Sequence, residues 1–157
     1  MHTFPQSTLY DATPEVLFSK PYGQILYYCD YQVVYTEIIG KFTHQEYRHL
    51  YENLLAIVKK YPVRACIASQ AKSGGSSMQD RAWLVTSWFS RLKATVSSDF
   101  ILIGLREAHD TKPFKRWIAD YLEKTLSSMA PFTVKSMPDF DSAVSFVLEK
   151  TKVISPA

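Results

Sequence analysis

Two apolar runs of strand length flank one helix-length segment, and this pattern constrains the fold of the chain more than any other. Val63-Arg64-Ala65-Cys66-Ile67-Ala68-Ser69 runs into a Ser/Gly-rich loop, Gln70 to Ser77. An amphipathic segment follows from Met78 to Ala94, and then a purer apolar run, Phe100-Ile101-Leu102-Ile103-Gly104-Leu105. Neither run alternates apolar with polar residues, so both read as strands buried on two faces. A helix between two such strands predicts a parallel βαβ crossover, right-handed by strong precedent. The 157 residues are enough for one domain with a core of its own, 1–157, without disulfide or metal staples.

Upstream, Glu15 to Lys20 reads as an edge strand closed by the turn residues Pro21-Tyr22-Gly23. Gln24 to Asp30 and Gln32 to Ile39 are rich in Tyr, Val and Ile and read as an antiparallel hairpin. Residues 1–14, with Pro5 and Pro14, read as an irregular arm. Thr43-His44-Gln45-Glu46 is a capping box, in which Thr and Glu each satisfy an amide at the helix start. Tyr47, Leu50, Tyr51, Leu54, Ile57, Val58 and Tyr61 then share one helical stripe, and Pro62 stops the helix.

The second helix is expected to begin at Ser76 or Ser77, with Gln79 or Asp80 closing the cap. Its stripe reads Met78, Ala82, Val85, Trp88, Phe89 and Leu92, at about 100° per residue. On that wheel Trp83 falls off the stripe, among Gln79, Thr86, Ser87, Ser90 and Ala94. Such a residue either anchors a protein contact or is covered within the chain by the hairpin tyrosines or the N-terminal arm. If it anchors a contact, Trp83, Ser87 and Ser90 are interface candidates, since small neighbours let a twofold-related helix approach. A third helix starts near Lys112-Pro113, a short strand runs from Phe132 to Met137, and Asp139 caps a final helix with a core side of Phe140, Ala143, Val144, Val147 and Leu148.

This order, with Tyr35-Thr36-Glu37-Ile38-Ile39-Gly40 leading to the Thr43 cap and a Ser-capped helix carrying Trp83, Trp88-Phe89 and Arg91, resembles the SpoIIAA-like fold of STAS domains. More narrowly it resembles the small STAS-like proteins found in Bacteroidetes. In outline it is also similar to the CRAL-TRIO lipid-binding domains. The resemblance covers roughly residues 24–150. It implies a mixed sheet with an N-terminal antiparallel hairpin, about four helices, and a non-enzymatic regulatory or protein-interaction role. STAS domains of the anti-sigma antagonist type are switched by phosphorylation of a Ser near the start of the second helix, after an Asp-Ser-Ser-Gly turn. The matching loop here, Lys72-Ser73-Gly74-Gly75-Ser76-Ser77, has the serines but no Asp before them.

In an open α/β sheet, ligands favour the crevice beyond the carboxyl ends of the strands. The candidates for a ligand or phosphorylation site at that edge are Ser69, Lys72, Ser73, Gly74, Gly75, Ser76, Ser77, Arg106 and His109. Hydroxyls, a lysine and a Gly-Gly pair before a helix N-terminus suit an anion, and the same composition is also ordinary turn and capping chemistry. An apolar ligand is the alternative occupant. No catalytic residue is assigned. A Ser73, His109 and Asp110 set can be drawn, but adjacent His and Asp usually point apart, and no GxSxG elbow is present.

His44 and His49 are five residues apart and do not share a face as a metal pair would. No metal and no cofactor are expected. Cys29 and Cys66 read as two buried thiols inside strands. A net charge of +3 is too small to imply nucleic acid, and no apolar run approaches the ~20 residues of a membrane span. With no signal-peptide pattern, the expectation is a cytoplasmic protein, either a homodimer or the partner of another protein.

Overall fold

A computed structural model describes residues 4–5, 7, 13–105 and 123–151. Six strands form one sheet in sequence order: β1 (Glu15–Lys20), β2 (Gly23–Tyr28), β3 (Val33–Ile38), β4 (Ala65–Ser69), β5 (Ile101–Leu105) and β6 (Thr133–Met137). The first three pair antiparallel, and β3 through β6 pair parallel. The two greasy runs therefore lie side by side, pointing the same way, inside a mixed α/β sheet. Arg106, His109 and Asp110, with most of the expected third helix, lie outside the described residues.

Both faces of the central strands are buried, which is why they show no alternation. All six residues of β2 and of β3 are buried. One face packs Ile25, Tyr27, Val34, Ile38, Cys66 and Leu102 under α1 (His44–Lys60) and the second helix. The other packs Leu26, Tyr35, Ala65, Ile67, Ile101 and Ile103 under the final helix, α5 (Phe140–Thr151). Because the strands advance in one direction, crossovers of one hand must place their helices on one face. α1 and the second helix do share a face.

Local chemistry sets the element ends. α1 starts with the expected capping box, Glu46 N–H to Thr43 Oγ1 at 3.1 Å and Thr43 N–H to Glu46 Oε1 at 2.8 Å. Lys59 and Lys60 sit in its last turn, where cations complement the helix dipole. Gly23 lets β2 pass close under α1: a Cβ there would lie 2.6 Å from the Glu37 carbonyl oxygen and 3.3 Å from Leu50 Cδ2. Asp139 caps α5 by accepting from Ser142 N–H at 2.8 Å, and that bond holds its carboxyl below the ordinary aspartate range.

Two expectations are corrected. The second helix is α2 (Met78–Trp83), a π-helical turn (Leu84–Trp88) and α3 (Phe89–Thr95), running on without a break. In the π turn, Phe89 N–H reaches back five residues to the Leu84 carbonyl. The extra residue shifts the buried row ahead of it, so Asp80 and Leu84 are buried while Met78 and Ala82 are exposed. Among the described residues there are then four helices, counting α4 (residues 123–129).

Cys29 is exposed, because β2 ends at Tyr28 and Cys29 opens a four-residue turn in which Gln32 takes φ 56°. Cys66 is buried in β4, and burial pushes its thiol up to about 12. The folded chain therefore holds that proton above pH 9, where an unfolded thiol releases it. This contribution to stability is complete below pH 9 and is lost as pH rises towards 12, with Tyr28 and Tyr51, also pushed up to about 12 by burial, acting in the same sense. The urea midpoint should therefore fall between pH 9 and 11. At pH 8 a thiol-reactive dye should label Cys29 quickly and Cys66 only on unfolding; fast labelling of both would contradict this packing.

Candidate functional site

The carboxyl ends of the parallel strands carry a connected set of polar groups, built by two loops. The β3–α1 and β4–α2 loops are tied backbone to backbone: Gly40 N–H donates to the Lys72 carbonyl at 2.8 Å, and Gly74 N–H donates to the Gly40 carbonyl at 3.0 Å. Gly40 takes φ +66° and Gly75 φ +104°, the left-handed region that glycine adopts without strain. This bridge fixes where Lys72 to Ser77 lie relative to the head of α1.

Within the second loop, most hydroxyls act on their own backbone. Ser69, buried at the end of β4, accepts from Ala71 N–H at 3.3 Å. Ser73 Oγ donates to the Gln70 carbonyl at 2.7 Å and accepts from Gly75 N–H at 3.2 Å. Ser77 is the N-cap, accepting from Asp80 N–H at 3.0 Å. Ser76 differs: the Arg81 guanidinium donates to its carbonyl and lies 3.4 Å from its Oγ.

The sequence reading missed a carboxylate under this edge. Glu37, in β3, is 2% exposed. Its Oε1 accepts from Gln24 Nε2 at 2.7 Å and from Lys72 Nζ at 3.4 Å, and its Oε2 accepts from the Tyr35 hydroxyl at 2.9 Å. A buried carboxylate is tolerated when its oxygens are paired and hydrogen-bonded. The available signal was Glu37 itself, a charged residue inside an otherwise β-prone run.

A second missed pair joins the helix heads. His44 Nδ1 lies 2.7 Å from Asp80 Oδ1, with the His side chain 52% exposed and the Asp side chain 4% exposed. Beside it, Tyr47 and Tyr51 share Gln70 Nε2 at 3.5 and 3.4 Å. Burial pushes the Tyr47 phenol well above its ordinary value, and that of Tyr51 to about 12. Among the described residues no cluster of three or more His, Cys, Asp or Glu is arranged to hold a metal ion.

The interface candidates sit on the second helix. Trp83 is half-buried against α1, edge-on to Tyr47 at 6.3 Å, with Arg48 Cζ 5.4 Å from its ring centre. Its cover within the chain thus includes α1 side chains. Five residues apart on an α-helix, Trp83 and Trp88 would diverge by about 140°. The π turn narrows that angle, so Trp83 meets α1 while Trp88 Nε1–H donates to the Tyr51 carbonyl at 2.7 Å. Ser87 Oγ lies 3.3 Å from an Arg91 guanidinium nitrogen. Ser90 is exposed and donates to the Thr86 carbonyl at 3.0 Å.

No family model matches this chain, and no curated protein matches it. Among the described residues no helix is long and apolar enough to cross a membrane.

Replacing Glu37 with Leu should cost about 2–4 kcal/mol, because it strips buried donors of the acceptor they share. Glu37→Gln, which keeps one oxygen and the shape, should cost less. Urea unfolding followed by tryptophan fluorescence measures both, and a Leu variant as stable as the parent chain would contradict the assigned role.

Proposed function

We propose that this chain is a non-enzymatic regulatory or protein-interaction domain of STAS-like type, working in the cytoplasm and self-associating through the outer face of its second helix. The observation that carries this reading is the surface of that face. Ala82, Thr86, Ser90 and Ala94 recur at every fourth position and are all exposed. Thr86 and Ser90 turn their hydroxyls back onto the Ala82 and Thr86 carbonyls, at 2.7 and 3.0 Å. What remains outward is a flat strip of small groups without a long charged side chain, against which a second helix can pack closely.

The element order and the Ser77-capped entry to that helix support the STAS-like part. The chemistry of the carboxyl edge supports the non-enzymatic part. The hydroxyls of Ser73 and Ser77 serve turn and cap, and Asp80 and Glu37 are held by named partners.

Sedimentation velocity over a concentration series tests the reading. The expected result is a dimer, and Ser90→Arg should weaken it at least tenfold, about 1.4 kcal/mol. At concentrations low enough for both chains to be monomeric the melting temperatures should agree, since Ser90 is exposed in the single chain. A monomer at every concentration, or a dimer indifferent to Ser90→Arg, would overturn the self-association.

A further inference from the structure

The heads of α1 and the second helix meet at the carboxyl edge, and one histidine and one aspartate join them. His44 is the first residue of α1, and Asp80 lies in the first turn of the second helix. Each head is fixed independently of the pair. Thr43 and Glu46 cap one and Ser77 caps the other, while the Gly40–Lys72 and Gly74–Gly40 bonds tie the two loops that lead into them. The 2.7 Å contact between His44 Nδ1 and Asp80 Oδ1 is therefore set by the fold, and it joins a nearly buried carboxylate to a half-exposed ring.

That contact assigns the tautomer of the ring. An ionised carboxylate can only accept, so the shared proton belongs to His44 Nδ1. In the neutral ring Nε2 then carries the free lone pair. Among the described residues Nε2 has no hydrogen-bond partner. His49, also exposed, is arranged differently: Asn53 Nδ2 lies 3.5 Å from both of its ring nitrogens, and no carboxylate orients it. The place of the His44 ring favours an anionic electrophile. Helix side chains lean towards the N-terminus, so His44 stands over the end of α1 where the first N–H groups have no carbonyl within the helix to meet and the dipole is positive. Glu46, the acid of that turn, is engaged by the Thr43 N–H.

We propose that His44 is a phosphoryl acceptor, its Nε2 taking the group from an N-phosphoryl donor while Asp80 acts as a positioning residue. In the step the Nε2 lone pair forms a bond to phosphorus. The P–N bond of the donor breaks, and its nitrogen, already protonated, leaves with that electron pair as a neutral amine. The Nδ1 proton stays where it is, and the positive charge that the ring gains faces the Asp80 carboxylate. The chain receives the group and needs no catalytic machinery of its own. This is a modification site at the carboxyl edge, and it does not rest on self-association through the second helix.

The test incubates the full chain with potassium phosphoramidate at mildly alkaline pH, where free imidazole is neutral, and locates the label by peptide mass spectrometry. His44 should carry a phosphoryl group that is lost in acid and kept in base, and it should label faster than His49. Asp80→Asn keeps the shape, but the same exchange in a Ser-His-Asp site puts the ring proton on the wrong nitrogen, so it should slow transfer to His44 by at least about tenfold. Nitrogen NMR of the ring should show the proton on Nδ1 in the parent chain and on Nε2 in Asp80→Asn, a change that loss of a merely structural contact would not produce. His44 against His49 is read in the unaltered chain, so the proposal can fail even if the variant does not fold.

No phosphoryl group on His44, labelling of His49 as fast as of His44, a parent ring protonated on Nε2, or an unchanged rate in a folded Asp80→Asn chain would each overturn the inference. None of these results would touch a Ser90-dependent dimer, so the two readings fail separately.

Discussion

The architecture depends on β3, β4 and β5 having apolar cover on both sides. Peptide groups in that layer have no water to turn to, so each must be met by a neighbouring strand. The pairing Thr36 to Ala68 to Gly104 and, one residue on, Glu37 to Ser69 to Leu105 carries that requirement across three strands in register. At its carboxyl ends the layer stops being apolar. Glu37 and Ser69 lie next to each other there, and the loops that follow are joined by the Gly40–Ser73 bridge. The polar edge is thus the boundary of the core: the place where the chain must leave the sheet and satisfy its own backbone.

The helices on the first face follow from the same need for cover. α1 is fixed by its capping box and a deep apolar row, with Tyr47, Leu50 and Leu54 at or near zero exposure. The second helix has to cover the sheet and also lie along α1, and its two tryptophans do different parts of this. Trp88 drives into the core and finds the Tyr51 carbonyl, while Trp83 lies against α1. A regular α-helix could not aim both. The π turn between them reconciles the two contacts, and single π turns in longer helices are frequent at functional sites. The same helix presents an outer strip of small exposed residues, the feature on which the functional reading stands.

Much of the fold was legible because it rests on composition over several residues at a time. Unbroken apolar runs mark strands covered twice, the Thr43 and Asp139 caps mark helix starts, and Pro62 marks a stop. What was not legible depends on a single inserted residue or on long-range pairing. An extra residue in a helical turn leaves no trace in apolar spacing, so Met78 and Ala82 read as part of the inward stripe, whereas the structure exposes both and buries the cap residue Asp80 instead. Cys29 looked like strand because Tyr28 and Tyr31 surround it, but the turn begins one residue earlier than the Asp30-Tyr31 pair suggests. Glu37 finds Gln24, Tyr35 and Lys72 only when β2, β3 and the loop after β4 have been brought together, and His44 finds Asp80 across two helix heads. The Gln70–Ser77 loop follows β4 at the carboxyl edge of the sheet, and the carboxylates Glu37 and Asp80 that meet Lys72 and His44 there come from outside it.

Native-state hydrogen exchange tests the central claim most directly, since it reads the protection of each strand separately. The account predicts that the amides of Cys66 and Ile67 in β4, with Ile103 in β5, exchange only through global unfolding, and that those of the edge strands β1 and β6 exchange faster. Amides of β4 or β5 exchanging as readily as those of β1 would contradict a sheet organised around its doubly covered centre.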